Sequence, residues 1–95
     1  MNTLQDVLLH LRAGRWTEAH NLVQYDSSPL GAWLHGIVHI VEGDLEDAEY
    51  WYGQAGRHFR SRGTLDEELA RFEAALLQSG AAPAAAPSKA GAVVR

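Results

Sequence analysis

The sequence predicts an all-α protein of about five helices. Three observations carry this reading. Apolar residues recur at three- and four-residue spacings in successive segments, and glycine, proline and capping residues separate those segments. No run of strand length alternates apolar and polar residues with period two. At 95 residues, 46% of them apolar, the chain holds one small domain.

The first helix opens at Thr3, a capping residue with Asp6 three positions on, and Leu4, Val7, Leu8 and Leu11 form its stripe before Gly14. Trp16 to Tyr25 reads as the second, with Trp16, Ala19, Leu22 and Val23 on one side. Asp26, Ser27 and Ser28 make a turn cluster, and Pro29 suits the first turn of the third helix, which runs to about Glu42 and stops at Gly43. Asp44 is expected to cap the fourth helix, which continues to about Gly56 with Leu45, Ala48, Trp51, Tyr52 and Ala55 inward. Thr64 and Glu67 form a capping box for the fifth, whose stripe is Leu65, Leu69, Phe72 and Leu76. From Gly80 the chain reads GAAPAAAPSKAGAVVR, without bulky side chains to offset chain entropy and interrupted by Pro83 and Pro87. The expected division is a helical domain over 1–79 and a disordered Ala/Pro-rich tail over 80–95.

Composition excludes several classes. Eight basic residues against twelve acidic ones give a net charge of −4, and the expected domain, without Lys89 and Arg95, carries −6. That sign opposes nonspecific binding to nucleic acid or an anionic membrane, so neither is expected as a partner. Without cysteine there is no disulfide framework, zinc knuckle or thiolate nucleophile. No basic leader and no membrane-length apolar run are visible, which predicts a soluble, cytoplasmic protein.

An internal repeat is legible. A shift of 29 residues places His10 on His39, Gly14 on Gly43, Ala19 on Ala48 and Val23 on Tyr52. Each copy is helix, glycine, helix, with a small alanine where the two helices cross. The second copy, Ala32 to Ala55, resembles a tetratricopeptide repeat through the spacing of Gly36, Gly43, Ala48, Tyr52 and Ala55. His35 and His39 stand where that pattern prefers leucine and tyrosine, and the offset is shorter than the usual 34. The strings Trp16-x-x-Ala19-His20, Trp33-Leu34-His35-x3-His39, Glu42-Gly43-Asp44-Leu45 and Tyr50-Trp51-Tyr52 resemble more narrowly a group of small, uncharacterised bacterial proteins. The tetratricopeptide resemblance implies stacked antiparallel hairpins, the fifth helix acting as a C-terminal cap.

The histidines are the candidate chemistry. On a wheel of the third helix, Leu30, Trp33, Leu34, Ile37, Val38, Ile40 and Val41 share one broad arc, while His35, His39 and Glu42 gather on the other side beside Ala32 and Gly36. His35 and His39, one turn apart, can grip one divalent metal such as zinc or iron. His20 faces them if the hairpins stack, and Glu42 or Gln24 completes the set. The alternative is that the rings only hydrogen-bond within the helix interface. Gly36 stands where a metalloprotease motif needs its glutamate, and the acids from Glu42 to Glu49 lack the spacing of a calcium loop.

Arg57, His58, Arg60 and Arg62 form a small basic cluster, read as solvated charge after the fourth helix. Within the aromatic triplet, Trp51 and Tyr52 face the core side while Tyr50 points nearly opposite. Tyr50, Trp51 and Arg57 are thus the candidate partner-binding residues. The leading expectation is a noncatalytic helical-repeat protein, a binding or scaffold module for a protein or peptide partner or for a second copy of itself. It has no catalytic residues and needs no cofactor. The alternative is a metal or small-ligand protein built on His20, His35, His39 and Glu42.

Overall fold

Helix α3 (Pro29–Glu42) is the axis of the protein: it packs against α1 (Thr3–Arg12), α2 (Trp16–Val23), α4 (Leu45–Gln54) and α5 (Leu65–Gln78). This computed structural model describes residues 3–79, and the expected tail over 80–95 lies outside the described residues. Among these there is no strand, and no helix is long and apolar enough to cross a membrane. Nine consecutive residues of α3, Gly31 to His39, are buried. A helix with neighbours all round has no polar face to give to water. Its start is fixed by the Ser28 hydroxyl, which accepts from the Gly31 N–H at 3.0 Å, with Pro29 in the first turn.

The two copies of the repeat close in the same way. Gly14 and Gly43 both adopt the left-handed conformation, at φ 80° and 84°. The next N–H donates back to the equivalent histidine carbonyl, Arg15 to His10 at 2.8 Å and Asp44 to His39 at 2.9 Å. This pairing ends a helix and turns the chain sharply, and only glycine adopts that φ without a Cβ penalty. Ala19 and Ala48, the matched alanines, are both fully buried. α1 thus packs on α2, and α3 on α4.

Some sequence expectations fail at helix ends. Trp16 and Leu45, expected inward, are 46% and 49% exposed. They are matched positions of the repeat, each the first residue of its helix and three residues ahead of the buried alanine. Asp44 makes no side-chain cap on α4; its carboxylate lies 3.7 Å from Nδ1 of His39 and bonds with that of Asp47. α2 stops at Val23, leaving Tyr25 exposed, and the loop after α4 contains a short 3-10 turn, Phe59–Ser61. The capping box of α5 forms as expected, Thr64 and Glu67 each holding the other's backbone N–H.

The α3–α4 crossing depends on Gly36. A Cβ there would stand 2.6 Å from Cδ1 of Tyr52 and 3.2 Å from the Ala48 carbonyl oxygen. The ring cannot retreat easily. Tyr52 is 1% exposed, and its hydroxyl donates to Oε1 of Glu68 at 2.6 Å. Glu68 is itself buried and accepts from Trp33 Nε1 at 3.3 Å and Arg71 at 2.8 Å, so one carboxylate joins α3, α4 and α5. Burial works to raise the pKa of Glu68, but the hydrogen bonds from Tyr52, Arg71 and Trp33 outweigh it and hold the carboxyl below its ordinary range. Burial and the same bond to Glu68 push the Tyr52 phenol up, keeping it a neutral donor.

Two glycine substitutions separate crowding from chain entropy. Gly36→Ala should destabilise the protein by about 1–3 kcal/mol in urea unfolding, since a well-packed site must absorb an added methyl. Gly53→Ala, in α4 with open space around its would-be Cβ, should be stabilising by about 0.5–1 kcal/mol. Equal effects at the two positions would contradict the crossing geometry.

Candidate metal centre

Three imidazoles from two helices meet at the α2–α3 interface. His35 and His39 lie one turn apart on α3, and their rings are near-parallel with centroids 5.0 Å apart. His20, near the end of α2, presents its ring edge-on to both, at 5.0 Å from His35 and 4.8 Å from His39. Nε2 of His20 is 3.2 Å from Nε2 of His35. One ring nitrogen from each of the three lies within 4.8 Å of the others. Two imidazole nitrogens bound tetrahedrally to one zinc ion stand about 3.3 Å apart, so closing the whole triad on an ion calls for a movement of about 1.5 Å or less.

Glu42 holds the far side of the cluster. Its Oε2 is 3.2 Å from Nδ1 of His20, and its Oε1 is 3.7 Å from Nδ1 of His39. A carboxylate on Nδ1 keeps the proton there and makes Nε2 the acceptor, here facing Nε2 of His35, the usual support for a metal-binding histidine. The geometry therefore gives Glu42, expected as a fourth ligand, the task of orienting His20. Gln24 takes no part, since its amide donates to the Asn21 carbonyl at 3.3 Å. Asp44 and Asp47 stand at the exposed edge beside His39. A hydrogen bond with Asp44, then the charge of that neighbour, pushes the Asp47 carboxyl up.

The cluster has unused donor capacity. His35 and His39 are 6% and 7% exposed, and Nδ1 of His39 is buried with no hydrogen-bond partner. Leaving such an atom unpaired costs about 1–3 kcal/mol. Burial, then the charges of His39 and His20, lowers the pKa of His35 to about 4, so its ring is neutral at pH 7. Neutral imidazole is the form a metal needs.

The partner-binding candidates touch different aromatic neighbours. Trp51 stacks on His35 at 4.1 Å and walls the cluster, with exposed Tyr50 edge-on to it at 5.2 Å. Arg57 places its guanidinium 3.5 Å over the Trp33 ring. Sequence reasoning missed Glu68, although a signal existed. Glu68 is three residues after Leu65 and four before Phe72, so a charge sits within the apolar stripe of α5. No family model, curated protein or solved structure matches the chain.

Acidification of the metal-free protein should expose the neutral burial of His35. An unfolded histidine titrates near 6.5 and His35 in the fold near 4, so the unfolded state binds the extra proton first. Stability is fully present above pH 6.5 and falls as pH drops toward 4, by about 2–3 kcal/mol from this group. Urea unfolding across that window checks this, with His35→Phe flattening the slope; an unchanged slope would contradict it.

Proposed function

We propose that the protein is a noncatalytic helical-hairpin protein that binds one divalent transition-metal ion, zinc or iron, through His20, His35 and His39. The observation that carries this reading is the convergence of three imidazole nitrogens within 4.8 Å, on rings drawn from two helices. Rings bonded to separate backbone groups would have favoured a purely structural part. The donor set fits: imidazole nitrogen suits zinc, iron, copper and nickel, whereas calcium and magnesium prefer oxygen. A bound ion would tie α2 to α3 and supply Lewis-acid charge.

A second reading keeps the expected protein or peptide partner, or a second copy of the chain. It is supported by the resemblance of Ala32 to Ala55 to a tetratricopeptide repeat, and by Tyr50, which is 57% exposed against the edge of Trp51. Sedimentation of the full chain, alone and after Tyr50→Ala, tests self-association through that face.

Elemental analysis decides the metal reading. Full-length protein purified without an affinity tag should carry, or take up on titration, about one equivalent of zinc or iron. His35→Ala should lose it. His10→Gln should retain it, because His10 is outside the cluster, its Nδ1 accepting from Arg15 at 2.8 Å. Glu42→Gln should weaken affinity about 10–100-fold through loss of the His20 support. Wild-type protein that takes up neither metal contradicts the proposal.

A further inference from the structure

An acidic domain places four of its six arginines in one stretch. Residues 3–79 contain six arginines against twelve acids, yet Arg57, Arg60, Arg62 and Arg71 all fall between the end of α4 and the middle of α5. Arg57, Arg62 and Arg71 line a cavity of about 310 Å³ together with His58, Ser61 and Glu68. Arg60 is drawn away to Glu49 at 3.5 Å.

The three lining arginines are not all needed by Glu68. Its oxygens already accept from Tyr52, Trp33 and Arg71, and only Arg71 forms an ion pair with it, at 2.8 Å. Among the described residues, Arg57 and Arg62 pair with no carboxylate. Each is held by an aromatic ring instead, Arg57 over Trp33 at 3.5 Å and Arg62 over Phe59 at 3.8 Å. Arg62 also donates to the Phe59 carbonyl at 3.0 Å. Stacking occupies the face of a guanidinium and leaves N–H groups at its edge, so both side chains are pre-set to receive an anion with little further loss of freedom.

We propose that this cavity binds a small molecule through a dianionic phosphate group held by Arg57, Arg62 and Arg71. Three arginines less one glutamate give the lining a charge of +2. A phosphate monoester carries about −1.5 to −2 at neutral pH and has three acceptor oxygens for guanidinium donors, whereas a single carboxylate would leave one positive charge unmatched. The volume stands at the small end of ligand sites, about 300–1,000 Å³, room for phosphate with a short organic remainder. The site is separate from the histidine cluster: Trp51 faces the histidines, while Tyr52 lines the cavity.

Calorimetric titration of the full-length protein at constant ionic strength tests this, with inorganic phosphate, glycerol 3-phosphate and acetate as probes. Saturable binding of the phosphate probes, with acetate at least tenfold weaker, is the expected result. Tighter binding of the ester shows that the rest of the cavity contributes, and equal binding shows recognition of phosphate alone. Arg62→Gln, in a loop outside the core, should weaken phosphate at least tenfold. Arg57→Gln should do the same, with circular dichroism confirming that it folds despite losing its place over Trp33. No saturable binding of either phosphate probe, acetate binding as tightly as phosphate, or undiminished affinity in Arg62→Gln would each overturn the proposal.

Discussion

Everything distinctive about this protein follows from burying α3 on every side. From Gly31 to His39 no residue of that helix reaches water freely, so each polar side chain on it needs a partner within the protein. Trp33 finds one in Glu68 of α5, and His35 finds one in His20 of α2. His39 finds none for its Nδ1. The neighbouring helix serves both polar clusters with adjacent residues, Trp51 stacking on His35 and Tyr52 bonding to Glu68. Successive residues of a helix point about 100° apart, which lets one aromatic pair address two sites.

The two clusters solve the burial of a titratable group in opposite ways. Glu68 stays ionised because three donors on three helices converge on it and outweigh desolvation. His35 has no such counter-charge, so burial keeps it neutral and its lone pair available. Gly36 underlies both, since the close approach it permits seats Tyr52 under α3. The polar groups therefore specify how the helices cross as well as fill the interface.

Much of this was legible in the sequence because it is local. Glycine stops at 14 and 43, the turn before Pro29 and the Thr64 capping box all act within a few residues, and the structure bears them out, as it does Leu69, Phe72 and Leu76 of the α5 stripe but not exposed Leu65. The meeting of His20 with His35 and His39 was legible only through the repeat, which implied how neighbouring helices stack. Exposure at Trp16 and Leu45 was not legible, because periodicity says which side a residue takes but not how far along the helix its neighbour extends. Asp44 looked like a cap by type and place, yet in the fold its carboxylate bonds to no first-turn N–H and stands beside Asp47 and His39 instead. The basic cluster of Arg57, His58, Arg60 and Arg62 was legible and read as solvated charge, but not its cavity, because Arg71 and Trp33, far away in sequence, complete it only through tertiary packing.

The central claim is that the three histidines act as one site. Nitrogen-15 NMR of the imidazole rings during zinc titration tests it most directly, because it reports each ring and each nitrogen separately. One nitrogen each of His20, His35 and His39 should shift together and reach completion at one equivalent, while Nδ1 of His20 keeps its proton beside Glu42. Rings that respond independently, or a shift confined to His10 and His58, would contradict it.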